Sequence, residues 1–168
     1  MEVIQKLGKP NKKNTTKQSF LNSIESLEEN TFVDATNLIT ISFKYFCINQ
    51  SPVGQTFTEW KDNMRLDLLQ KLAEYTKYNR GHWKNQFSNG LPLLAEYGDF
   101  PTNTDFELPK NIPNPHELIW SRFRLMQKVR VCGFFVTDDI AKKYNLSTST
   151  FYIVFLDKDH RFYKTEIE

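Results

Sequence analysis

The sequence predicts one α+β domain, in which a small antiparallel β-sheet, a C-terminal β-meander, packs against an amphipathic helix. Three observations carry that expectation. Apolar residues recur at helical spacing between positions 60 and 75. Three segments of the last third, 118–125, 129–136 and 151–156, concentrate the aromatic and β-branched residues that suit a pleated sheet. The length of 168 residues, 39% of them hydrophobic, is enough for a single core.

Residues 1–18 are polar, aperiodic and rich in Lys, Asn and Thr, which predicts a flexible basic arm ahead of one domain over 19–168. Phe20, Leu21, Ile24 and Leu27 predict a short amphipathic helix, an N-terminal extension ending near Asn30. Alternation over 39–45 predicts a strand, broken by Ser51-Pro52-Val53-Gly54. Thr56 and Glu59 have the spacing of a capping box and open the main helix. Its stripe of Trp60, Met64, Leu68, Leu72 and Tyr75 faces a core, and the helix fades at 78–81. Residues 81–117 hold Pro92, Pro101, Pro109, Pro113 and Pro115 and form a Pro-rich insertion, ordered by its aromatics, with short helices at 82–87 and 91–97. Within the meander, 138–144 reads as a helical turn and Phe162-Tyr163 as a short fourth strand.

Composition narrows the chemistry. Cys47 and Cys132 lie in apolar, strand-like stretches and read as free thiols of a reducing compartment. His82, His116 and His160 are scattered, so neither a metal nor a cofactor is expected. No apolar run approaches the ~20 residues of a membrane span. The opening Met1-Glu2-Val3-Ile4-Gln5-Lys6 lacks the apolar core of a signal peptide, and the expected location is cytoplasmic.

The net charge of +2 is unevenly spread. Lys6, Lys9, Lys12, Lys13 and Lys17 outnumber Glu2 in the first 18 residues, so the rest of the chain is mildly acidic. A nucleic-acid site must therefore be a local patch. Residues 118–136 supply one, with Arg122, Arg124, Lys128 and Arg130 and no carboxylate. A three-residue loop of Met126, Gln127 and Lys128 sets Leu125 opposite Val129. It then pairs Arg124 with Arg130, Phe123 with Val131, Arg122 with Cys132 and Trp120 with Phe134. Alternation gathers Ile119, Phe123, Leu125, Val129 and Val131 on one face and the three arginines on the other. A two-residue loop would mix the two sets.

Like charges opposed on a sheet are destabilising, so the cluster calls for an external anion or for internal acids. Glu59, Asp62, Asp67 and the Asp157–Asp159 pair are the internal candidates. Arginine forks grip phosphate and stabilise charge developing on phosphorus. RNA cleavage through its own 2′-hydroxyl needs a base, an acid and such cations. The segment 157–164 offers His160 and Tyr163 for proton transfer, and Arg161 and Lys164 as further nucleic-acid contacts beside Lys128.

The order of elements and the segments W-x-R-F-R-L, R-V-x-G-F-F and F-Y-I-V-F-L-D-x-D-H-R-F-Y resemble the RelE/ParE superfamily of toxin–antitoxin toxins over residues 38–164. The telling residues are Arg122, Phe123, Arg124, Arg130, Val131, His160 and Tyr163. The resemblance implies an endoribonuclease that cuts RNA in the ribosome without a metal and is restrained by a cognate antitoxin. In that reading Arg122, Arg124 and Arg130 hold the scissile phosphate while His160 or Tyr163 moves protons. The gyrase-inhibiting branch implies instead a non-catalytic interaction module, and an accessory protein of a mobile element would use the arginine face in the same way. The chain departs from the family in its N-terminal extension, its 81–117 insertion, and a helix region, 57–80, with five cations and four acids. A third reading places function in the insertion, where Trp83 and Lys84 would meet bases; core packing is the plainer role for that tryptophan.

Overall fold

A computed structural model describes residues 35–50 and 53–164. The basic arm, the 20–30 helix and Ser51-Pro52 lie outside those residues. Strands Thr40–Ser42 (β1), Phe87–Ser88 (β2), Leu91–Pro92 (β3), Leu94–Gly98 (β4), Ile119–Met126 (β5), Val129–Phe135 (β6) and Thr150–Asp157 (β7) alternate with helices Asp62–Tyr75 (α1), Arg80–Lys84 (α2) and Asp138–Tyr144 (α3). Five strands form one sheet in the order β1-β7-β6-β5-β4, and β2 and β3 form a separate hairpin. The α+β class holds. The sheet is mixed, however, because β1 runs parallel to β7, with Ile41 beside Phe151.

Both faces of the sheet are covered, which is why the central strands read as continuous apolar runs. One face places Phe123, Val131, Phe151 and Ile153 against Trp60, Leu68, Leu72 and Tyr75. The Tyr75 ring stacks on Phe123 at 4.2 Å, and its hydroxyl donates to the carbonyl of Arg124. The other face places Trp120, Cys132, Phe134 and Phe155 against Phe106, Ile112, Ile140 and Phe162.

Several expected elements differ. The expected 39–45 strand stops at Ser42, whose hydroxyl accepts the Lys44 N–H at 3.2 Å and turns the chain so that Tyr45 is buried. Glu59 accepts the Thr56 N–H at 2.7 Å, yet this box closes a separate turn. Lys61 is extended (φ −65°, ψ 157°), Trp60 drops into the core at 1% exposure, and α1 begins only at Asp62. Past Tyr75 the backbone leaves the helix, and the Tyr78 carbonyl accepts the Ile39 N–H at 3.1 Å. The short helix expected at 82–87 starts earlier, capped by the Asn79 side chain, which accepts the His82 N–H at 2.8 Å.

The helix expected at 91–97 is absent: that stretch forms β3 and β4. Asn89 (φ 52°) and Gly90 (φ 73°) make the left-handed two-residue turn that joins β2 to β3, and β4 then lies along β5 with Leu94 beside Phe123. Phe162-Tyr163 is no strand either. Phe162 is buried on the second face, where Trp120, Phe106 and Phe155 surround its ring at 5.9–6.0 Å.

In the β5–β6 hairpin the register from Arg124–Arg130 to Trp120–Phe134 is the expected one. Its loop is not: Met126 pairs with Val129 across a two-residue turn, and a bulge between Arg124 and Met126 absorbs Leu125. Phe123, Leu125, Val129 and Val131 still share the helix-facing core. No helix among the described residues is long and apolar enough to cross a membrane.

Gly133 sits where β6 approaches β7 at a second register shift. A Cβ there would lie 2.1 Å from the backbone oxygen of Tyr152, which cannot move without breaking the sheet. Gly133→Ala is expected to remove at least ~2 kcal/mol of stability in urea unfolding. Gly81→Ala, where the nearest atom is 3.4 Å away in α2, serves as the tolerated comparison.

Candidate functional site

Arg122, Arg124, Lys128, Arg130, His160 and Tyr163 line one pocket of about 390 Å³, together with Tyr97, Gln127, Leu91 and Ala95. Strand alternation puts Arg122 and Arg124 on one face of β5, and register puts Arg130 directly opposite Arg124. Lys128 comes from the turn between them, Tyr97 from β4, and His160 and Tyr163 from the turn after β7.

That turn is built by Asp157. Its carboxylate is fully buried and accepts the backbone N–H groups of Asp159 (3.2 Å), Arg161 (3.0 Å) and Phe162 (2.9 Å). Gathering three amides onto one side chain folds the chain tightly enough that His160 takes a left-handed φ of 62°. Burial raises the Asp157 pKa, and the three amide bonds oppose that rise. Asp157 faces Arg130 across β6 and β7.

The arginines are held largely by neutral acceptors. Arg122 donates from Nε to the Tyr97 hydroxyl (3.2 Å) and from Nη1 to the Pro92 carbonyl (2.9 Å). Arg130 Nη1 donates to the carbonyls of Gln127 (2.5 Å), Val129 (2.9 Å) and Met126 (3.2 Å), and Arg124 Nη1 to that of Gln127 (3.2 Å). The buried Nε atoms of Arg124 and Arg130 have no hydrogen-bond partner among the described residues. Among the described residues none of the three guanidiniums forms an ion pair with a carboxylate. Of the acids considered as neutralisers, Glu59 holds Thr56, Asp62 pairs with Arg65 and Asp159 with Lys158, while Asp157, opposite Arg130, favours its charged form without a hydrogen bond to it.

The electrostatic consequences are large. Burial, then the neighbouring Arg122 and Arg124, pulls Arg130 down to about 10. The sequence commends His160 for an ordinary near-neutral pKa, but burial and then Arg130, Arg122, Arg124 and Lys128 hold it down at about 4. At neutral pH its imidazole is uncharged and able to accept a proton.

Two expected contacts are placed outside this pocket. Arg161 and Lys164 both face Asp105, at 3.7 Å and 2.6 Å. Trp83 is buried, with its indole N–H on the Tyr75 carbonyl at 2.8 Å, so it offers no face for bases, whereas Lys84 is exposed and pairs with Glu96. Cys132 is a buried free thiol and Cys47 a half-buried one. No cluster of three or more metal-ligating side chains occurs among the described residues. Tyr97 and the Leu91 wall escape the sequence reading because 91–97 is taken there as helix; Asn89-Gly90 was the signal for the hairpin that places them.

Compared with protein-family models, curated proteins and solved structures, the chain matches none of them.

The depressed imidazole has a pH signature. Between about 6.5 and about 4 the unfolded chain takes up a proton that folded His160 refuses. Its contribution to stability is therefore complete above about pH 6.5 and is lost as pH falls through that window. Urea unfolding from pH 4 to 7.5 is expected to show a shallower pH slope for His160→Asn, a residue that tolerates the left-handed backbone, than for the wild type. Equal slopes would mean that the imidazole is not depressed.

Proposed function

We propose that the protein is a toxin-like endoribonuclease that holds the scissile phosphate of RNA among Arg122, Arg124 and Arg130. The supporting observation is the coexistence, in one pocket lined by no carboxylate, of three arginines that form no ion pair among the described residues, an uncharged imidazole and a phenol. The guanidiniums suit a phosphodiester and the extra negative charge of its pentacoordinate transition state. His160 takes the proton of the 2′-hydroxyl, whose oxygen attacks phosphorus. The P–O5′ bond breaks, and Tyr163 returns a proton to the departing oxygen, leaving a 2′,3′-cyclic phosphate and a 5′-hydroxyl. The resemblance to RelE/ParE toxins extends this reading to ribosome-bound RNA in the cytoplasm and to an antitoxin that restrains the protein.

A second reading is favoured by one observation. An imidazole held near 4 is a weak base, which suits gripping an anionic partner without cleaving it, as in a gyrase-directed or accessory module.

Induced expression of the wild type is expected to arrest growth with RNA decay, and Arg122/Arg124/Arg130→Ala at matched abundance to relieve both. With purified protein and RNA, His160→Asn, which keeps the left-handed turn, is expected to slow cleavage ~10²-fold or more while affinity changes little. RNA that is bound but stays intact would support the second reading; loss of both binding and arrest phenotypes in the wild type would remove both.

A further inference from the structure

The wall between the arginine pocket and its neighbour is a pair of stacked tyrosines. Tyr97 and Tyr163 lie ring on ring, 4.5 Å apart and 6° from parallel, and both belong to two cavities. On one side are the arginines. On the other is an open pocket of about 310 Å³, lined also by Asp99, Phe100, Thr102 and Asn103. Across one pair of rings the lining changes from four cations without an acid to aromatic faces with a carboxylate, a hydroxyl and an amide, and no cation.

That change matches the parts of a nucleotide. A phosphate wants the guanidiniums, and an unstacked base wants an aromatic face with a few polar groups at its edge. Gly98, at a left-handed φ of 76° after the β4 bulge, turns the chain so that 99–103 forms this second wall. Asp99 is largely exposed, and its ion-pair neighbour is His116, 3.6 Å away and charged only when protonated. The Asp99 carboxylate is therefore available to accept from an exocyclic amine, as acidic side chains do from cytosine N4. Asn103 is anchored by its own amide to the Lys164 carbonyl, which fixes the rim.

We propose that the pocket of Asp99, Phe100, Thr102 and Asn103 is a nucleobase subsite. It takes a single-stranded base bearing an exocyclic amine, next to the phosphate held by the arginines. The inference rests on the phosphate reading above, and its test separates the two.

The probes are fluorescent five-residue 2′-deoxy oligonucleotides of A, C or U and an abasic phosphodiester chain of equal length, none of which can be cleaved through a 2′-hydroxyl. Anisotropy titration of the full chain is expected to rank A and C above U, and all three about tenfold or more above the abasic chain. Asp99→Ala should bring A and C down to U, and Tyr163→Ala should weaken all three bases towards the abasic value. Both side chains are outside the core, and circular dichroism checks that each variant is folded. If the abasic chain binds as tightly as the bases while Arg122/Arg124/Arg130→Ala abolishes binding, the base subsite is wrong and the phosphate reading stands. If no oligonucleotide binds, the phosphate reading fails and takes the subsite with it. A ranking of bases that Asp99→Ala leaves unchanged also overturns the assignment.

Discussion

The buried carboxylate of Asp157 is the constraint on which core and pocket both depend. It ends the interior strand β7 and faces Arg130, and its oxygens collect three backbone amides from the residues that follow. Two outcomes follow from one folded turn. Phe162 is directed into the second core, among Trp120, Phe106 and Phe155. His160 and Tyr163, on either side of it, are directed to the arginine pocket. A loss of the carboxylate would leave buried amides unsatisfied and release the aromatic plug together with His160 and Tyr163, so stability and pocket geometry are not separable here.

The arginines sit where the sheet can tolerate them. Arg124 and Arg130 are opposed on neighbouring strands, an unfavourable arrangement for like charges, and both have a buried Nε without a partner. The surrounding interactions keep them in place. Carbonyls of the Gln127–Lys128 turn region accept from both, Tyr75 holds the Arg124 backbone from the opposite face, and apolar packing on both faces fixes the strands. The repulsion is thus retained in the folded protein; after burial, which is the larger cause, it contributes to the lowered pKa values of Arg124, Arg130 and His160. A site that carries such repulsion gains most from an anion, because one ligand relieves every pairwise term at once.

Much of this was legible in residue order. Strand alternation across β5 and β6 separates arginines from aliphatics, and only the register seen in the structure does so without mixing. The α1 stripe is legible because Leu68, Leu72 and Tyr75 recur at helical spacing. What was not legible depends on distant partners. The 91–97 stretch has helix-compatible residues, but pairing with β5 and the Asn89-Gly90 turn decide for strand. The parallel pairing of β1 with β7 joins residues about 110 apart in the chain, as Thr40 and Thr150 show through their 2.6 Å hydroxyl contact. The role of Asp157 was hidden for a related reason. Its charge suggests a partner for arginine, and it does favour the charged form of Arg130 opposite it, but its hydrogen bonds go to the backbone.

The lowered pKa of His160 ties proton and anion together. Burial first, and then Arg130, Arg122, Arg124 and Lys128, keep the imidazole neutral; an anion that offset those charges would act on the second cause alone, and by linkage a protonated His160 would favour that anion by the same factor. Under the phosphate reading proposed above, an anion on the arginines would make the imidazole a stronger base to the extent that those charges, rather than burial, hold it down. The charge that makes His160 an unpromising catalyst in isolation is also what would couple its activation to the arrival of substrate.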